Sequence, residues 1–157
     1  MKKIIQLFII GVLAFGLAAC GTSGGTNGGT STGGTGGDSG VSGSTLDKDL
    51  LSKKRVHFEY NSAEIDDESR RIIEAHANHL KGKSIRVRLE GHCDERGTRE
   101  YNLSLGERRA NSVAKIMRAL GVKSSRLKKV SFGEEKPLRN GHNEAAWSMN
   151  RRVEIAY

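Results

Sequence analysis

Asp94, Asn102 and Arg109 are the residues whose types and spacing could do chemistry. On a helical wheel at about 100° per residue, Leu105, Val113, Ile116, Met117 and Leu120 fall within an arc of about 120°, which a helix buries. Arg109 falls in the middle of that arc and Asn102 lies on it too, whereas Arg108 falls outside. Taking a guanidinium out of water costs several kcal/mol even after relaxation, so Arg109 needs an acid or a cleft. The nearest upstream acid is Asp94, in the loop that leads to this helix. A strand-loop-helix unit brings the two together at one end of a sheet. Two roles fit. One is a buried Arg-Asp brace that fixes the loop. The other is a receptor for a zwitterion, the aspartate taking an ammonium and the arginine a carboxylate in a forked hydrogen bond.

The elements that must position these residues can be read from periodicity. Val56 to Tyr60 alternates as a strand. Asp66-Asp67-Glu68 supplies a cap and an acidic first turn, and Ile72, Ile73, His76, His79 and Leu80 make a helical face that stops near Gly82. Ile85, Val87 and Leu89 alternate with Arg86, Arg88 and Glu90 in a second strand. A second helix spans about Asn102 to Leu120 and ends at Gly121. Leu127 to Phe132 reads as a third strand, Glu144 to Met149 as a short helix, and Arg152 to Tyr157 as a fourth strand. The order β-α-β-α-β-β predicts an α+β domain with helices packed on one side of a mixed four-stranded sheet.

Upstream of residue 46 the composition is different. The first 19 residues have Lys2 and Lys3, an apolar run from Ile4 to Leu17 and small Ala18-Ala19, the pattern of a signal peptide. The apolar run is shorter than the roughly 20 residues a membrane-spanning helix needs. Leu17-Ala18-Ala19-Cys20 resembles the bacterial lipoprotein signal box, which implies that Cys20 carries a covalent lipid and opens the mature chain. By the same resemblance, Gly21 in place of Asp favours the outer membrane. Residues 20–45 are nearly all Gly, Ser and Thr and lack the apolar surface that offsets ordering, so they are expected to be a flexible tether; 46–157 form the folded domain.

Other chemistries fit the sequence poorly. His92, Cys93 and Asp94 are consecutive, but neighbours on an extended segment point to opposite sides, so His92 cannot serve Cys93 as a base. His76 and His79 lie three apart on a helix without further ligands at useful spacing, so no metal site is expected. A net charge of +8 over 157 residues favours anionic partners. The basic residues are scattered, however, and no nucleic-acid-binding motif is present, so nucleic acid is not the expected partner.

Gly91-His92-Cys93-Asp94-Glu95-Arg96-Gly97, followed by Tyr101-Asn102-Leu103-Ser104-Leu105-Gly106-Glu107-Arg108-Arg109-Ala110, resembles the OmpA-like peptidoglycan-binding domain family. Phe58 to Ile65, Ser131 to Pro137 and Asn150 to Glu154 support the resemblance, which covers Val56 to Tyr157 and is nearest to the lipoprotein branch of the family. It implies a non-enzymatic protein, with no cofactor beyond the lipid on Cys20, that holds the diaminopimelate of peptidoglycan stem peptides. By position, Asp94 would hold the ammonium and Arg109 the carboxylate, Asn102 would line the pocket, and Asn61 and Arg152 would contribute more weakly. The implied setting is the periplasmic side of the outer membrane, with peptidoglycan, the propeller protein TolB and inner-membrane Tol proteins as partners. Cys93 departs from the Thr or Ala more usual in the family. The rival reading is a structural envelope lipoprotein that acts through protein partners alone, with Asp94 and Arg109 as the brace.

Overall fold

The computed structural model describes residues 43–157, so the leader, Cys20 and nearly all of the expected tether lie outside the described residues. Helices α1 (Gly43–Ser52), α2 (Asp67–Leu80), α3 (Arg99–Ala119) and α4 (Glu144–Asn150) alternate with strands β1 (Arg55–His57), β2 (Val87–His92), β3 (Leu127–Gly133) and β4 (Arg152–Ala156). The sheet order is β1-β4-β2-β3. β2 and β3 are parallel, and β4 is antiparallel to both β1 and β2. Three strands therefore run one way, with β4 inserted against them. Their C-terminal ends share one end of the sheet.

Alternation puts Val56, Val87, Leu89, Val153 and Ile155 on the face covered by α2 and α3, where Ile73, Leu80, Val113 and Met117 complete the core. The opposite face carries ion pairs, among them Arg152 to Glu154 at 2.7 Å and Arg55 to Glu154 at 3.6 Å. This is the expected α+β layout. Local signals hold as well: Asp66 caps α2 by accepting from the Ser69 amide, and Gly121 turns the chain after α3 at φ +98°. Arg109 is buried and Arg108 exposed, as the wheel requires.

Four boundaries differ from the sequence reading by more than one residue. α1 begins at Gly43, inside the stretch read as tether, and packs on α2 with Leu50 against the core. β1 stops at His57 rather than Tyr60, and beyond it the Phe58 amide donates to Arg151 O at 3.0 Å. β2 starts at Val87 rather than Ile85, whose carbonyl accepts from Arg126 Nε. α3 begins at Arg99 because Thr98 caps it.

Candidate ligand-binding site

A cavity of about 260 Å³ lies at the C-terminal end of the parallel strands. Tyr60 and Asn61 reach it from the turn after β1, Asp94 and Arg96 from the loop after β2, Asn102 from the first turn of α3 and Arg109 from the middle of that helix. Of the residues singled out by sequence, Asn61, Asp94, Asn102 and Arg109 converge here. Arg152 does not. It points to the other face of the sheet, where it pairs with Glu154 and donates to the carbonyls of Asn150 and Lys136.

The seat of α3 depends on two glycines. A Cβ on Gly91 would lie 1.9 Å from Gly106 O, so only bare backbone lets the helix approach β2 this closely. That approach carries Arg109 to the cavity floor. Its charge is not met by Asp94. Nε donates to Ser62 O at 2.8 Å, Nη1 to His92 O at 2.9 Å and Nη2 to Glu59 O at 3.0 Å, with a longer contact from Nη1 to Cys93 Sγ. Phe58 lies under the guanidinium at 5.2 Å. A guanidinium has five N–H donors, so one on Nη2 is left without a protein acceptor, on a side chain that is 0% exposed. The brace that one of the two readings set between Arg109 and Asp94 is instead a clamp from Arg109 onto backbone carbonyls.

Asp94 is paired with two arginines that sequence reasoning passed over as site residues. Oδ1 accepts from the Arg96 amide at 3.0 Å and from its Nε at 3.1 Å; Oδ2 accepts from Arg96 Nη2 at 2.7 Å and from Arg151 Nη1 at 3.4 Å. Burial works against the carboxylate charge, but the hydrogen bonds and charge of Arg96, aided by Arg151, hold it below the ordinary value. Arg96 is itself held between the rings of Tyr60 and Trp147, each centroid 4.1 Å away. Arg151 also donates to Phe58 O and Glu144. A doublet such as Arg151-Arg152 entering a strand carries a usable signal, since alternation sends one side chain to each face. It does not say which one goes to the site.

Asn102 Nδ2 donates to Asp94 O at 3.3 Å and Arg96 O at 3.2 Å and also contacts the Glu134 carboxylate, so it pins the loop to the helix start. Asn61 adopts a left-handed backbone at φ 53°, which asparagine tolerates, and its side chain accepts from the Tyr101 hydroxyl. Cys93 is buried, donates to Asn102 O, and burial pushes its pKa up to about 11. It is a neutral thiol at physiological pH, with His92 turned away against Phe132. His76 has both ring nitrogens engaged, with Tyr157 OH at 2.8 Å and Lys53 O at 3.0 Å, which leaves neither free for a metal.

A larger depression of about 790 Å³ lies between the α1-β1 connection, α2 and β4. Two of its cations are already paired, Lys53 with Glu68 and Arg55 with Glu154, while Lys54 lies over the Tyr157 ring and Asp66 caps α2. The smaller cavity is the one that brings Arg109 and the buried Asp94 carboxylate to one wall.

A sheet of this order, with two helices on one face and a charged cleft at the strand ends, defines a small α+β domain. Residues 57–151 match the model of the OmpA family, and the chain belongs to that family. Within it, the chain is 47% identical over 116 residues to a peptidoglycan-associated lipoprotein of Pseudomonas aeruginosa, covering 73% of this chain and 69% of that one. It is 39% identical over 159 residues to the protein of that name from Pasteurella multocida, with both chains fully covered. The solved peptidoglycan-associated lipoprotein of Burkholderia pseudomallei superposes with a TM-score of 0.67 at 39% identity, covering 69% of this chain and 92% of that one. The C-terminal domain of Helicobacter pylori MotB shares the fold at a TM-score of 0.58 and 26% identity, covering 64% of this chain and 81% of the other.

Proposed function

We propose that this chain is an outer-membrane lipoprotein, anchored through Cys20, whose periplasmic domain binds the diaminopimelate of peptidoglycan stem peptides without covalent chemistry. The observation that carries the reading is the convergence of Asp94, Asn102, Arg109 and Asn61 on one cavity built from the turn after β1, the loop after β2 and helix α3. The zwitterionic end of diaminopimelate matches it. Its ammonium approaches Asp94 Oδ2 and displaces the long contact to Arg151, the weakest of the four that the carboxylate accepts. Its carboxylate meets the remaining Nη2 hydrogen of Arg109 and the positive field of Arg96. Asn102 and Asn61 act by fixing the loop and the Tyr101 hydroxyl. Similarity to the peptidoglycan-associated lipoproteins supports peptidoglycan as the polymer concerned. In that setting the domain ties the outer membrane to the wall, and TolB and the inner-membrane Tol proteins are its protein partners in envelope constriction at division. Binding of TolB and of peptidoglycan at this one cleft is mutually exclusive.

A structural role without ligand has one observation in its favour: most of the Arg109 donors already serve backbone carbonyls. Calorimetric titration of the mature chain with a diaminopimelate-containing muropeptide separates the two readings. Saturable binding that Asp94→Asn abolishes, in a variant whose thermal melt remains cooperative, supports the receptor. A folded wild type that releases no heat and gives no saturation leaves the structural reading.

A further inference from the structure

The end of the domain opposite the cavity is made of cations with no acidic partner. Residues 75–89 and 108–133 contain no Asp or Glu. The fold brings the basic parts of these stretches together, because β2 and β3 are parallel and start at the same end. Lys81 and Lys83 follow α2, Arg86 precedes β2, Lys123 and Arg126 precede β3, and Lys128 is its second residue. Arg126 ties the end together by donating to Ile85 O at 2.8 Å and Leu80 O at 2.9 Å. Arg86, Arg126 and Lys128 line one shallow depression of about 610 Å³ beside the end of β4. Lys81, Lys83, Arg86, Lys123 and Lys128 are exposed, and among the described residues none of these six cations forms a salt bridge. The chain also joins the sheet here: β1 begins at this end, and Lys54 Nζ lies 4.9 Å from the centroid of the Tyr157 ring that follows β4.

We propose that this basic end docks on the anionic phospholipid headgroups of the membrane that holds the lipid anchor, leaving the cavity pointed away from the bilayer. The choice of a bilayer rests on the reading of Cys20 as that anchor; the unpaired charge does not. Clustered Lys and Arg side chains are attracted to anionic headgroups, each lost residue weakening binding about fivefold, and the attraction fades over a Debye length. A strand of about 20 Å separates the basic end from the cavity, so one surface can be occupied without covering the other.

The test uses mature chain carrying Cys20→Ser, which has no lipid, and vesicles of phosphatidylcholine with or without phosphatidylglycerol. Co-sedimentation with the anionic vesicles alone, falling as salt rises, is expected. Combining Arg86→Glu, Lys123→Glu and Lys128→Glu reduces it at least about a hundredfold. The same charge change placed at exposed Arg70, Arg71 and Arg139 reduces it far less. Equal partition onto neutral and anionic vesicles, or equal losses in the two triple variants, overturns the proposal. So does binding to a soluble polyanion such as heparin without binding to vesicles. Muropeptide titration of the same samples reports the cavity separately, and labelling of the full-length chain with palmitate reports the anchor, so failure of either is distinguishable from failure of the docking surface.

Discussion

Arg96 and Arg86 flank the two ends of β2, and their circumstances are opposite. Arg96 is held by Asp94, stacked between Tyr60 and Trp147, and within reach of Glu144. Arg86 is exposed and, among the described residues, forms no salt bridge. The same contrast runs across the two ends of the domain. At the cavity, Asp94, Arg109 and Arg151 are buried and hydrogen-bonded, and the Coulomb field is strong because little water screens it. At the far end the charges are solvated and mutually repulsive. Buried charges organise a cleft and tie stability to it, whereas solvated ones contribute little to stability and act on whatever approaches.

The largest test of this contrast is Arg109→Ala. Three carbonyls lose their donor in a buried site, and the expected cost is about 3–5 kcal/mol in chemical denaturation. Loss below about 1 kcal/mol would show that the clamp is not structural.

His92 comes next. Burial, and then Arg152, bring its pKa down from 6.5 to about 4, so it folds as the neutral ring. A depressed histidine contributes stability that is complete above pH 6.5 and is lost as pH falls from there to about 4, up to roughly 3 kcal/mol. Denaturation midpoints measured from pH 7.5 to 4 show this slope, and His92→Phe, which preserves the stacking on Phe132, flattens it.

Asp94→Asn is expected to cost about 2 kcal/mol near neutral pH, since the hydrogen bonds it weakens are charge-assisted. The folded carboxylate titrates below its ordinary 3.8, so its contribution is present above that pH and disappears as pH falls through the depressed value. Wild type and variant should converge in strong acid. A gap that persists unchanged there would assign it to shape and not to charge.

The smallest effect belongs to the basic end. Arg86→Glu, Lys123→Glu and Lys128→Glu each change stability by less than about 0.5 kcal/mol, in either direction. A clear gain from each would sharpen the contrast further, because it would measure the repulsion that this end carries.

Part of this architecture can be read one residue at a time. The wheel of α3 separates Arg109 from Arg108, alternation puts Val87 and Leu89 on the inner face, Asp66 opens α2 and Gly121 closes α3. Asp94, Asn102 and Arg109 were expected at one end of the sheet, and three of the four boundary differences move an element by two or three residues. α1 was missed outright, since a stretch of Gly, Ser and Thr precedes it and its stability comes from resting Leu50 on the core. The partners within the cleft were not legible either. One of the two readings paired Asp94 with Arg109, but Asp94 meets Arg96 and Arg151; Arg152 was expected in the cleft and lies across the sheet.

Sequence alone determined the periodic faces, the caps and the fact that a cation had to be buried, because apolar spacing and side-chain type act locally. Only the tertiary structure decided what that cation touches. Its acceptors are the carbonyls of Glu59, Ser62 and His92, groups that every residue possesses and that no residue type announces, brought together by the loop after β1 and the end of β2.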